Sequence, residues 1–185
     1  MKIIIIYHSG FGHTKIVAQY ILQGLQSEIS DATMLSTLEA LDQMELLHDA
    51  DALIFGSPTY FGSVSAEFKK FIEVTGTFWY AQKWKDKLAA GFTNSSTLNG
   101  DKLVTLQQLS IFAAQHGMIW ISTGIVPKFI ANVQADSPNQ MASYLGLMTL
   151  SDNATREVNL PHDLETAVLF GQRIAQITKQ FKSNI

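Results

Sequence analysis

Three short stretches rich in hydroxyl, amide and glycine residues each directly follow an apolar run. The first is Ser9, Gly10, Phe11, Gly12, His13 and Thr14. The second is Ser57, Pro58, Thr59, Tyr60, Phe61 and Gly62. The third is Thr93, Asn94, Ser95, Ser96, Thr97, Leu98, Asn99 and Gly100. The first stretch has the chemistry of a phosphate cradle. Ser9 and Thr14 offer hydroxyls, and Gly10 and Gly12 let the backbone turn its N–H groups inward. A helix that starts near Thr14 adds its positive end. The stretch has neither the lysine of a nucleotide-triphosphate loop nor the spacing of a dinucleotide fingerprint. A cradle this neutral suits one phosphomonoester. The same residues would also serve an ordinary strand-to-helix turn capped by Ser and Thr. In the second stretch, Pro58 stiffens the backbone beside Tyr60 and Phe61. That combination holds a flat heteroaromatic ring, or packs the loop on its neighbours.

These stretches need a frame that brings them together. Residues 2–7, 32–35, 51–56, 87–92 and 118–121 read as five strands, the second of them short. Between them, 14–27 reads as a helix with Val17, Ile21 and Leu25 on one face. Helical periodicity also marks 65–75, 101–115 and 161–181, and less clearly 38–48. Strands alternating with helices make a parallel sheet covered on both faces, with right-handed crossovers. All three chemistry-bearing stretches then fall at the carboxyl edge, where open parallel sheets bind ligands. The chain reads as one domain over 1–185. Residues 123–160 form one long irregular segment.

The stretch 78–84 holds Phe78, Trp79, Tyr80 and Trp84. It reads as a wall of a ring pocket or as a subunit contact. Trp79, on the segment between a helix and the fourth strand, is expected to fold over the carboxyl edge, and Trp84 to pack. The five histidines have no metal-ligand spacing. His48 and His162 read as solvated surface residues, His13 lies in the first stretch, and His116 precedes the fifth strand. No nucleophile elbow is present.

Composition narrows the classes. The 185 residues are 46 % hydrophobic and 16 % charged, which excludes a disordered chain. A net charge of −3 gives no basic face for nucleic acid. The absence of cysteine leaves no disulfide, thiolate or thiol nucleophile and fits a reducing compartment. No apolar run reaches the ~18 residues of a membrane span. The run at 3–6 is too short for a signal peptide and reads as a buried strand. The expected location is the cytoplasm.

The residues from Tyr7 to Thr14 and from Phe55 to Gly62 resemble the first two FMN loops of the WrbA-type NAD(P)H:quinone oxidoreductases. The resemblance continues through Phe68, Phe71, Thr75, Gly76, Trp79, Lys87, Leu88, Ala89 and the third stretch, to His116, Gly117 and Met118. It covers residues 3–124. It implies a flavodoxin-like fold with strand order 2-1-3-4-5. It also implies that the first loop holds the FMN phosphate, while the second and third touch the isoalloxazine ring. The implied cofactor residues are Ser9, Gly10, Phe11, Gly12, His13, Thr14, Pro58, Thr59, Tyr60, Phe61, Gly62, Asn94, Ser95, Ser96, Thr97, Asn99 and Gly100. Phe11, Trp79 and His116 are the implied substrate-binding residues, with Gln115 or His116 standing where the family has its ring-contacting histidine. The family forms homotetramers and homodimers. This chain departs from it in a third loop with a single Gly and a bulky Leu98, in Tyr60 where Arg is common, and in a shorter segment between Leu25 and Asp51. The implied activity is two-electron reduction of quinones or similar planar acceptors, with NAD(P)H as co-substrate. With no second nucleotide motif, donor and acceptor would take turns over the ring, a ping-pong scheme. The alternatives are a flavodoxin-type one-electron carrier and a binding module without turnover.

Overall fold

All five residues of β1 (Ile3–Tyr7) are buried, and its side chains alternate between two apolar layers. Ile3, Ile5 and Tyr7 face helices α1 (His13–Gln26) and α7 (Pro161–Ser183), where Val17, Ile21, Phe170 and Ile174 complete one core. Ile4 and Ile6 face the opposite layer, with Phe55, Phe68, Phe71, Trp84 and Phe112. A strand buried on both faces needs no polar alternation, which is why the isoleucine run is continuous. The computed structural model describes residues 1–127, 137–151 and 160–183.

The sheet order is β2 (Ala32–Ser36), β1, β3 (Ala52–Tyr60), β5 (Leu88–Ser95), β6 (Ile119–Trp120), all parallel. This is the expected doubly wound, flavodoxin-like sheet. Two short strands add to it. β4 (Ser63–Val64) turns back on the end of β3, and β7 (Leu147–Leu150) runs parallel to the carboxyl half of β5. The fifth sheet position is therefore shared. β6 pairs with Leu88 and Ala89, the chain leaves the sheet, and β7 pairs with Phe92 to Ser95. The long segment expected to be irregular thus contains a strand, while 128–136 and 152–159 lie outside the described residues.

Two boundaries differ from expectation for a shared reason. β3 continues through Ser57 and Pro58, and β5 through Thr93 and Asn94, because these residues pair with each other in register. β1 ends opposite Gly56, so Pro58 has no β1 neighbour whose ladder its missing N–H could break. The weakly periodic 38–48 is two helices, α2 (Thr37–Asp42) and α3 (Met44–His48). α2 is fixed at its start by a Ser36–Glu39 capping box. On the other layer, α1 and α7 touch backbone to backbone. A Cβ at Gly24 would lie 2.0 Å from the Val168 oxygen, and one at Gly171 would lie 2.2 Å from the Ile21 oxygen.

Candidate active site

β1, β3 and β5 end side by side, and the segments that follow them enclose a cavity of about 360 Å³. That volume lies within the roughly 300–1,000 Å³ typical of small-molecule sites. Ser9, Gly10, Phe11, His13 and Thr14 line one side, and Pro58 to Gly62 a second. Asn94 to Thr97 and Gly100 line a third. Of the residues expected to hold the cofactor, only Gly12 and Asn99 do not line the cavity. Gly12 is the N-cap of α1 at φ 96°, a left-handed conformation that suits glycine. Asn99 is exposed, and its carbonyl accepts from the Lys102 N–H. Asp101 and Ser151 also line the cavity and were not foreseen. Ser151 follows β7, the strand that the sequence did not reveal; its hydroxyl accepts from Asn94 Nδ2 at 2.8 Å.

The first loop is a set of donors without acceptors. None of the N–H groups from Gly10 to Thr14 donates to another group among the described residues. They stand at the start of α1, where a helix leaves such donors open. His13 is buried, lines the same cavity, and has an Nε2 with no partner. Among the described residues, no Lys or Arg lines the cavity. The arrangement fits a single phosphate held by hydrogen bonds and a helix end.

The mouth carries aromatics that nothing among the described residues covers. Phe11 is 79 % exposed and Phe61 fully so, and Phe61 sits at φ 50°, costly for a bulky residue. Tyr60 meets Phe11 edge to face at 6.5 Å, and its hydroxyl fills the space where Gly10 lacks a Cβ. Burial raises the Tyr60 pKa, so the phenol stays neutral. Beneath the ring side, Thr59 Oγ1 hydrogen-bonds Thr93 Oγ1 at 2.7 Å and donates to Thr105 at 2.8 Å. These bonds fix the floor. A phosphate donor cluster beside uncovered aromatics fits a phosphorylated flat ring such as FMN.

Trp79 and His116 do not belong to this cavity within one copy of the chain. α4 (Ala66–Val74) starts at the carboxyl edge and descends the sheet, so α5 (Gly76–Tyr80) lies at the amino edge. The expectation that Trp79 folds over the carboxyl edge fails because one helix length separates the two edges. His116 ends α6 (Lys102–Gln115) at that same lower edge, with Nε2 3.1 Å from Thr75 Oγ1. Trp79, Thr75, Gly76, Gln115 and His116 line a separate groove there. Trp84 is buried, as expected. His48 and His162 are not solvated surface residues. His48 Nδ1 accepts from Trp84 Nε1 at 3.1 Å, and the His162 side chain is 10 % exposed beside Asp163.

The family model for NADPH-dependent FMN reductases matches residues 1–129. The chain belongs to this family. Flavodoxin FldP of Pseudomonas aeruginosa is 39 % identical over 180 residues, 97 % of each chain. An NAD(P)H dehydrogenase (quinone) of Archaeoglobus fulgidus is 29 % identical, covering 97 % of this chain and 98 % of its own. The crystal structure of a WrbA-like flavodoxin from Agrobacterium tumefaciens superposes with a TM-score of 0.77 at 37 % identity, covering 97 % of this chain and 98 % of that one. The resemblance to the WrbA type is therefore sound. Membership in the NADPH-dependent FMN reductase family makes the chain a flavin oxidoreductase with a flavodoxin-like fold.

Proposed function

We propose that the protein is an FMN-dependent NAD(P)H:quinone oxidoreductase. One observation carries the reading: the cavity where β1, β3 and β5 end joins unpartnered phosphate donors to uncovered aromatics. The N–H groups of Gly10 to Thr14, with the Ser9 and Thr14 hydroxyls, would hold the FMN phosphate. Pro58 to Gly62 and Asn94 to Thr97 would hold the ring, with Phe11 and Phe61 left to cover a planar partner. Bound FMN supplies the two-electron chemistry; the chain supplies position and electrostatics. Nothing on the chain reads as a second nucleotide site. NAD(P)H and quinone would therefore alternate over one face. Trp79 and His116 would wall that face only from a second copy of the chain, in a homodimer or homotetramer.

The test is anaerobic reduction of the FMN-loaded protein by NADH or NADPH, then steady-state kinetics with a benzoquinone. Parallel double-reciprocal lines are expected. Failure of either nicotinamide to bleach the flavin would defeat the reading. It would favour the second one, a one-electron carrier, which the name of the Pseudomonas relative supports. Against a carrier stands the weak net charge of −3, since docking to a protein partner is helped by a strong field.

A further inference from the structure

Lys102 is fully buried, yet it sits in the first turn of α6. Both facts are costly for a cation. Burial strips its water, and a helix N-terminus is already positive. An apolar side chain of the same length would avoid both costs. The ammonium is held by two carbonyl oxygens, Thr97 O and Thr149 O, each at 3.0 Å. Thr97 lines the cavity in the third loop, and Thr149 lies on β7. The charge therefore stands one peptide unit behind the cavity wall. Among the described residues, no direct ion pair cancels it. Among the described residues, the acid whose charge acts on it is Asp163 of α7, itself buried, whose carboxylate accepts from the Leu150 N–H at 2.7 Å and lies 3.5 Å from His162 Nε2. Burial raises the Asp163 pKa. Burial also lowers the Lys102 pKa to about 8, so the ammonium remains mainly protonated at neutral pH.

We propose that Lys102 is a positioning residue for the flavin, holding the third loop through Thr97 and placing a buried positive charge behind it that favours the reduced ring. This rests on the reading that the cavity binds FMN. Taking up two electrons and one proton leaves the ring one charge more negative. A cation behind the wall stabilises that state more than the oxidised one, and low local dielectric carries the effect through a peptide unit.

The experiment measures the reduction potential of bound FMN and the affinity for oxidised FMN in the unaltered protein, Lys102→Gln and Lys102→Met. Gln keeps a donor for the carbonyls but not the charge. In both variants the reduced cofactor should be held about tenfold less tightly relative to the oxidised one, seen as a lower potential. Lys102→Gln should keep most of its affinity for oxidised FMN. An unchanged potential in a variant that still binds FMN overturns the proposal and leaves a structural staple. If neither variant loads, the unaltered protein decides. Its potential should fall more steeply with pH above about 8, as Lys102 loses its proton. Among the described residues, the titratable group whose charge acts on it is Asp163 of α7, with His162 beside Asp163 and Asp101 one residue before Lys102; β5 and β7 carry none. No steepening there overturns the proposal. Failure of the unaltered protein to bind FMN would instead strike the functional reading.

Discussion

The two edges of the sheet carry similar residue types in opposite states of satisfaction. At the amino edge, hydroxyls, imidazoles and aromatic rings are largely matched to one another. His48 accepts from the Trp84 indole, His116 contacts Thr75, and Trp84 lies among Phe55, Phe78, Phe112 and His116 at centroid distances of 4.5–6.4 Å. At the carboxyl edge the same kinds of group are left open. Five consecutive N–H groups donate to nothing among the described residues, and Phe11 and Phe61 face solvent. Residue type therefore does not mark a site; unspent bonding capacity does. Perturbing the amino edge should be read in stability, and perturbing the carboxyl edge in ligand affinity.

The largest separation is expected at Trp84. It is fully buried in the core beneath α4 and α6. Trp84→Ala should cost about 3–5 kcal/mol of unfolding free energy in urea titration. FMN affinity of the fraction that remains folded should be unchanged. A variant of normal stability that cannot bind FMN would erase the distinction between the two edges.

His116 sharpens it through pH. Thr75 Oγ1 donates to the Ile72 carbonyl, so His116 Nε2–H must be the donor to Thr75. Nδ1 is then a bare, buried lone pair with no partner. Protonating it would place an unpaired charge in the core, and burial accordingly lowers the pKa from 6.5 to about 4. The folded value lies below the unfolded one. The associated stability is therefore present above pH 6.5 and lost as pH falls towards 4, about 3 kcal/mol in all. Melting temperature should drop across that window, and His116→Gln should flatten the drop. A profile equally steep in the variant would place the acid sensitivity elsewhere.

Thr14 probes the open edge. It is buried at the cradle and lines the cavity. A hydroxyl donating to a phosphate contributes about 1.5–3 kcal/mol. Thr14→Val should weaken FMN binding roughly tenfold to a hundredfold by fluorescence titration. Riboflavin, which lacks the phosphate, should be affected far less. Equal losses for the two ligands would make Thr14 a structural residue like those at the other edge.

The architecture was legible wherever periodicity was strong. The isoleucine run, the α1 face of Val17, Ile21 and Leu25, and the α7 face through Gly171 lie in the layers expected of them. The cavity wall was legible because its three stretches directly follow strands, and in a parallel sheet topology alone brings them to one edge. What escaped notice depends on long-range pairing. β7 is four residues long and is a strand only because Phe92 to Ser95 offer it an open side, so neither it nor Ser151 had a local signal. Lys102 has no local signal either: the placement of α6 over β5, with the Thr149 carbonyl of β7 accepting from its ammonium, buries it. Trp79 was misplaced because an aromatic cluster between a helix and a strand was set at the wrong end of the helix.

Trp79 is where the two edges can meet. It is 48 % exposed beside the amino-edge groove, a large apolar surface that no described residue covers. Should a second copy bring it over the cavity, Trp79→Ala would retain FMN, since no cradle residue is touched. Quinone turnover efficiency would fall about tenfold, the effect of about 1–2 kcal/mol from one stacking ring. A change of oligomeric state on size exclusion would instead point to loss of the contact itself. Mixing separates sharing between copies from action within one. Trp79→Ala and Thr14→Val chains, dissociated and reassembled together at an FMN concentration too low to load Thr14→Val alone, would place intact cradles beneath intact Trp79 side chains. Activity above the sum of the separate variants would show that each site draws on both copies. Strict additivity would confine Trp79 to the edge where it is found and leave the cavity complete without it.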